Sequence, residues 1–372
     1  MNAPNHGLLL IADISGYTVF LQESELEHAR GSLTSLLEVL VQGTRPPLTI
    51  SRLEGDAVFS YGLEGFDLRG QTFLEMIEGL YVSFRRTIET MVLNTMCTCN
   101  ACANIGNLDL KFFVHHGEFL TQDVGRYRDL VGTDVNVIHR LTKNTVIAAT
   151  GITAYVLYTD AAIEAGGLRE LAEDWMPHCE TYDDVGTIAC RIQDLHPVWE
   201  AAAKRPVVTF ADEGIVIDMS TDIAAPREVV WDRLVDPVYR NLLMGSERME
   251  LEGVVDGRTD ASSTYVCYHG GVMAKMGGPA RHVVVEWRPF ERVVFSESLP
   301  MPGTPVREMQ GFELQATPTG THLRRICGNM TGPSYKRAIA RLMLGSLKKQ
   351  MIEQLQVFRE AVEESIPDSA AV

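Results

Sequence analysis

No stretch of this 372-residue chain approaches the ~20 consecutive apolar residues that a bilayer-spanning helix needs, so the sequence predicts no membrane span. Basic charge is also in short supply. Against 33 lysines and arginines stand 49 aspartates and glutamates, a formal net charge of −16, which argues against a general binder of nucleic-acid backbones. A small anionic ligand held by local groups is not excluded by that balance. Internal repeats and low-complexity segments are missing as well. The opening "MNAPNHGLLLIADISG" has no basic leader, and Asp13 cuts its apolar run, so it does not read as a secretory signal. Cysteines are few and odd in number, seven, which in a chain of this size points to reduced thiols and a cytoplasmic setting.

What is present is an ordinary globular composition, 45% hydrophobic and 22% charged. The length suggests two domains of roughly 150–200 residues each. From Leu8 to about Trp199, strand-like runs ("LLLIADI", "LKFFVHHGEF", "GTIACRI") alternate with amphipathic helical stretches. The clearest helix is "QTFLEMIEGLYVSFRRTIETMVLNTM", which puts Phe73, Ile77, Leu80, Phe84, Ile88 and Met91 on one face. This mixture predicts an α/β or α+β domain over residues 1–200. A linker is expected in "HPVWEAAAKRPVVTF", with its two prolines and short Ala-rich piece. Beyond it, residues 210–366 carry many strand-like runs and close on one long helix, from about Tyr335 to Glu364.

Three stretches of the first half carry chemistry. In "LLLIADISGYT" an apolar strand ends on Asp13, and in "RLEGDAVFSYG" a hairpin turn presents Asp56 at its tip. Alone, a Gly-Asp turn is most simply just a turn. Two aspartates at the ends of neighbouring strands could share divalent cations, because hard Mg²⁺ prefers one or two carboxylates plus phosphate oxygens. In "YRDLVGTDVNVIHRLTKN" Asn136 and Arg140 stand four apart and share a helix face, an amide and a guanidinium suited to a ribose and a phosphorus centre.

"ADISGYT", "RLEGDAVFSYG", "VHHGEF" and "DLVGTDVNVIHRL" stand in the order found in class III adenylyl/guanylyl cyclase catalytic domains, and residues 8–195 resemble that family. The resemblance implies a ferredoxin-like α+β domain that converts ATP to cyclic AMP and pyrophosphate. Asp13 and Asp56 would bind two Mg²⁺ or Mn²⁺ ions per site, one activating the ribose 3′-hydroxyl and one holding the triphosphate. Asn136 would orient the ribose and Arg140 would stabilise charge on the α-phosphorus. Gly16 and Thr18 would contribute to the nucleotide site. The family builds each site between two head-to-tail protomers, which implies a homodimer.

Asp129 falls where adenylyl cyclases accept the adenine amine, whereas a carboxylate there would repel guanine's oxygen. The partner lysine of that family aligns with Arg52, whose planar fork is longer. A second departure is "ETYDDVGTIACRI", which has Asp183, Asp184 and Val185 where a lysine-rich turn often holds the triphosphate. Two readings therefore stand: an adenylate cyclase regulated by a hydrophobic ligand, and a catalytically degenerate nucleotide-binding sensor. The aspartates, Asn136 and Arg140 favour the first. Arg52 and the acidic hairpin favour the second.

"CTCNACAN" lies outside the cyclase pattern. Cys97, Cys99 and Cys102 are candidates for a structural Zn²⁺ or another thiophilic metal, with His115, His116, Cys179 or Cys190 as fourth ligand. Free thiols remain the alternative, with an iron–sulfur cluster behind both.

The second half is similar in layout to the START/polyketide-cyclase-like (SRPBCC) helix-grip fold: "STDIAAPREVVWDRLVDPVYRNLL", then strands, then the long helix. That resemblance implies a curved antiparallel sheet around an apolar cavity for a hydrophobic small molecule or lipid. Trp231, Tyr239, Tyr265, Tyr268, His269, Trp287 and Phe312 are candidate lining residues, with ordinary core aromatics as the plainer alternative. His282 and His322 read as strand-surface residues.

Overall fold

The computed structural model describes residues 4–63, 68, 70–94, 97, 99–124, 127–205, 207–210, 214–270, 279–299, 306–328 and 330–366. The architecture is mixed α+β, in two compact units, Met1–Lys204 and Arg205–Val372. Among the described residues, no helix is long and apolar enough to cross a membrane.

In the first unit, β1 (Asn5–Ser15) is followed by α1 (Tyr17–Glu23), α2 (Leu26–Thr44), β2 (Thr49–Glu54) and β3 (Ala57–Leu63). Helix α3 (Gly70–Asn94) and the short α4 (Asn100–Asn104) lead into β4 (Asp109–Val124) and β5 (Tyr127–Val131). Then come α5 (Thr133–Leu141), α6 (Val146–Thr150), β6 (Tyr155–Thr159) and α7 (Asp160–Ala165). Strands β7 (Met176–Tyr182) and β8 (Gly186–Asp194) and helix α8 (His196–Ala202) close the unit. The sheet runs β2-β3-β1-β4-β6-β8-β7, with β5 paired to β4. Among the described strands of this unit, β4 and β6 run parallel and the other pairs are antiparallel.

The apolar run of β1 explains its central place. Leu9, Leu10 and Ile11 are all buried, although alternate residues point to opposite faces, so both faces of the strand are covered. On one face Leu9 and Ile11 pack with Phe59, Phe113 and Ile138 of α5. Helix α3 buries Phe73, Ile77, Leu80, Phe84 and Ile88, the stripe expected from the sequence; Met91 at its end is half-buried. The expected continuation to Met96 falls outside the described residues.

The second unit begins with β9 (Ile215–Ile223), α9 (Arg227–Val235) and α10 (Pro237–Met244). Strands β10 (Arg248–Glu252), β11 (Thr264–Tyr268), β12 (Ala280–Arg288) and β13 (Arg292–Leu299) follow. The unit ends with β14 (Val306–Thr317), β15 (Gly320–Gly328) and the 31-residue helix α11 (Ser334–Glu364). Its seven strands form one antiparallel sheet, β10-β11-β12-β13-β14-β15-β9, in which the first strand pairs with the last. Helix α11 packs against α10 and β9.

The aromatic candidates of this unit separate by burial. Trp231 meets Trp287 edge-on at 5.0 Å, and both are buried, as are Tyr265 and Phe312. Tyr239, Tyr268 and His269 are only half-buried. His282 corrects the strand-surface expectation: it is buried and ion-paired to Glu297 at 3.1 Å. Burial works against its charged imidazole, but the adjacent Glu297 carboxylate outweighs that and lifts it to about 9. His322, by contrast, pairs at 2.7 Å with the exposed Asp222.

Candidate functional site

Asp13 follows the buried run Leu9–Ala12 near the end of β1. Across the sheet Asp13 pairs with Ala57, so the β2–β3 turn brings Asp56 beside it, and Ile14 N donates to the Asp56 carbonyl at 3.3 Å. The turn is two residues long. Gly55 takes φ +68°, a positive value that suits glycine at the first central position of a tight hairpin turn.

The two carboxylates act on each other. Partial burial, and then the neighbouring Asp13 charge, push Asp56 up to about 6. The sequence reading missed the group that offsets them: Lys111, opposite Asp13 on β4, places Nζ 3.0 Å from Asp13 Oδ2. A lysine inside a strand of phenylalanines offered no spacing signal; only cross-strand register exposes it. Gly16 follows the strand with φ 86°, at the N-cap of α1, and Gly16 and Thr18 are both solvent-exposed.

Arg52 and Asp129 meet as well. Arg52 Nη1 donates to Asp129, its Nε donates to Glu54, and its Nη2 lies 3.1 Å from His139 Nε2. The guanidinium also sits 5.3 Å from the Phe59 ring centroid. Burial holds His139 below its usual range, against the pull of Glu54. The Arg52 guanidinium is thus already shared between two carboxylates.

Helix α5 carries Asn136 and Arg140 on its exposed side, while Val135, Val137, Ile138 and Leu141 are buried. Asp134 in the first turn and His139 and Arg140 in the last complement the helix dipole. Asp134 anchors the start: it accepts from Glu118 N at 2.7 Å and lies 3.2 Å from His115 Nε2. A Cβ on Gly117 would fall 2.2 Å from the Asp134 carboxyl carbon, so the "HHGEF" glycine is required by this close approach. Arg140 reaches the acidic β7–β8 turn, donating through Nε at 2.9 Å and Nη2 at 2.6 Å to Asp184 Oδ2.

The nominated residues therefore gather in three groups: Asp13 with Asp56, Arg52 with Asp129, and Arg140 with Asp184. A groove of about 840 Å³ opens elsewhere, between Glu118, Thr121, Gly132 and Asp134, and none of the nominated residues lines it.

Cys97, Cys99 and Cys102 also come together, but around a residue absent from the expected ligand set. His28 of α2 supplies the fourth donor, and all four ligand atoms lie within 4.8 Å of one another. The nominated alternatives are engaged or placed elsewhere. His115 contacts Thr159 and Asp134, Cys190 is buried in the core with Ile192 and Tyr155, and Cys179 lies on β7.

A family model described as "Protein of unknown function (DUF2652)" matches residues 33–150. "Uncharacterized protein Rv2561/Rv2562" of Mycobacterium tuberculosis is 27% identical over 165 residues, covering 44% of this chain and 73% of that protein. Among solved structures, the guanylyl cyclase Cya2 is similar at 13% identity and TM-score 0.39, over 51% of this chain and 92% of that one. The adenylyl cyclase CyaB from P. aeruginosa is similar at 13% identity and TM-score 0.36, over 52% and 95%. Protein MLL2253 from Mesorhizobium loti is similar at 19% identity and TM-score 0.30, over 39% of this chain and 96% of that one.

Proposed function

We propose that the first unit is a class III cyclase-type site that binds ATP with divalent cations and forms cyclic AMP and pyrophosphate. The observation that carries this reading is the Asp13–Asp56 pair. Two carboxylates at neighbouring strand ends, one of them raised to about 6 by partial burial and then by the other's charge, have a use for a cation that a single lysine does not meet. They suit Mg²⁺ or Mn²⁺, hard ions that combine one or two carboxylates with phosphate oxygens. Such ions, when bound, would neutralise triphosphate charge and acidify a ribose hydroxyl.

The chain's own residues supply the rest. With a cation held by Asp13 and Asp56, Lys111 would add its positive charge to the same site. Asp129 accepts from the adenine amine, and Arg52, once released from it, donates to the ring. Asn136 orients the ribose, and Arg140 leaves Asp184 to face the α-phosphorus, where negative charge builds during transfer. A homodimer places the Asn136–Arg140 face of one protomer against the carboxylates of its partner.

One observation favours a second reading. Both catalytic-type cations, Arg52 and Arg140, are held by carboxylates of the same chain, which suits a nucleotide-binding sensor that does not turn over. Incubating the purified protein with ATP and Mn²⁺ separates the two. The enzyme reading expects cyclic AMP, and expects none from Asp56→Ala. Metal-dependent ATP binding without product from any nucleoside triphosphate would leave the sensor. Mixing Asp13→Ala and Arg140→Ala chains should restore activity in the heterodimer, since one of its sites stays whole.

For the second unit we infer a helix-grip domain that holds a hydrophobic small molecule or lipid with an acidic group. The feature behind this is Arg240. It is wholly buried, its guanidinium lies 3.6 Å from the Phe295 ring centroid, and none of its three nitrogens has a hydrogen-bond partner among the described residues. An acidic head group would satisfy those donors. Native mass spectrometry of the purified protein should show a co-purified acid that Arg240→Met loses; a ligand-free wild type that also fails to take up a medium-chain fatty acid would end this reading.

A further inference from the structure

Three cysteines and one histidine from separate parts of the chain meet in the first unit. His28 lies in the first turn of α2, Cys97 in the connection after α3, and Cys99 and Cys102 at the start of α4. We propose that these four residues are the complete ligand set of a structural Zn²⁺ site that ties α2 to the α3–β4 connection.

The geometry is that of a tetrahedral site. With Zn–S bonds of about 2.3 Å and a Zn–N bond of about 2.0 Å, tetrahedral angles put each sulfur about 3.5 Å from the nitrogen. His28 Nδ1 stands 3.1 Å from Cys99 Sγ, 3.5 Å from Cys97 Sγ and 3.9 Å from Cys102 Sγ, a set that brackets that value. One ring nitrogen engages one hydrogen at a time, yet three sulfurs surround it, a crowding that a shared ion would hold together.

The local backbone supports thiolate ligation. Cys99 caps α4, its sulfur accepting from Cys102 N at 3.5 Å, the kind of donor that settles charge on a metal-bound sulfur. Glu25, just before α2, accepts from Ala101 N at 3.2 Å and so docks the two helices a residue away from the ligands. None of the seven cysteines is in a disulfide. The site is at the surface, with His28 and Cys97 exposed and Cys99 and Cys102 half-buried, so an ion can enter without unfolding.

Donor chemistry chooses the ion. Three thiolates and an imidazole favour Zn²⁺ over the hard Mg²⁺ expected at Asp13 and Asp56. Four protein ligands leave no open position for water or substrate, which makes the role structural. Helix α4 packs against both α1 and α2, the helices that follow Asp13, so the ion would brace the segment that carries Gly16 and Thr18.

The test uses the full chain, expressed with zinc in the medium and purified without chelator, and reads metal by elemental analysis. About one zinc per chain is expected, with Co²⁺ substitution giving the intense thiolate charge-transfer absorption of a tetrahedral sulfur-rich site. His28→Ala and Cys102→Ser should each weaken zinc by at least about tenfold in competition with a chromophoric chelator. Cys179→Ser, at an exposed thiol outside the cluster, should keep it. Chelation should lower the thermal midpoint of the wild type, and should lower that of His28→Ala by less. Zinc well below stoichiometry with all three thiols titrating freely, stoichiometric iron in its place, or undiminished affinity in His28→Ala would each overturn the proposal. None of these readouts depends on nucleotide turnover.

Discussion

Replacing Asp56 by asparagine should stabilise the protein at neutral pH in the presence of a chelator. The physical cause is the crowding of Asp56 by burial and by Asp13, which raises its carboxyl from 3.8 to about 6. For a fully buried group a rise of that size corresponds to roughly 3 kcal/mol, at about 1.4 kcal/mol per pKa unit. Asp56 is half-buried, so solvent screening reduces the figure to ~1 kcal/mol. The sign follows from linkage. Because the folded-state value lies above the unfolded one, the native state binds the proton more tightly. The contribution to stability is therefore fully present below about 3.8 and is lost as pH rises through about 6. Asparagine, which carries no charge, avoids that loss and can keep the turn. Melts of the full chain in chelator at pH 7.5 should show the variant about 2–4 °C above the wild type in the transition of the first unit, and the difference should close near pH 4. Millimolar Mg²⁺ or Mn²⁺ should raise the wild type and leave Asp56→Asn unmoved. A variant that is less stable than the wild type at pH 7.5 in chelator would refute the reasoning, because it would mean that the Asp56 charge is already satisfied by the chain.

Asp184→Ala should release Arg140 from an ion pair whose side chains are 45% and 48% exposed, with little effect on stability, while raising ATP affinity or turnover about two- to fivefold; unchanged binding and rate would show that Arg140 does not serve the nucleotide. His282→Leu should cost about 3 kcal/mol, since it leaves Glu297 buried without its closest cation. The wild-type contribution of His282 should be complete below about 6.5 and disappear as pH rises through about 9, which urea titrations at pH 7 and pH 10 would measure. In protein stripped of ligand, Arg240→Met should be neutral or stabilising by about 1–3 kcal/mol, because an apolar chain of similar reach replaces a buried guanidinium without hydrogen-bond partners among the described residues; a large loss in chemical denaturation would show that stacking on Phe295 and attraction to Glu297 outweigh its desolvation.

Local order along the chain was legible because it depends on period and turn chemistry. The strand through Asp13, which runs two residues past the expected end to Ser15, the hairpin tip at Asp56, the buried stripe of α3 and the shared face of Asn136 and Arg140 all follow from residues near one another in sequence, where strand and helix repeats act directly. The same holds for α11, which begins just after Pro333, one residue from the expected start. Partners from distant segments were beyond that reach. His28 is more than sixty residues from the cysteines it joins, and no spacing rule connects a helix in one place to a loop in another. Lys111 meets Asp13 only because β1 and β4 pair in that register, and one residue of slip would turn it to the other face. His282 read as a surface residue because an alternating strand does not say which of its faces is inward; the antiparallel sheet turned it toward Glu297, and the Coulomb attraction there keeps it charged in the interior. Residue types and their periods set the elements. Which charges meet, and which are left buried without a partner, was decided by the sheet registers and helix packing of the folded chain.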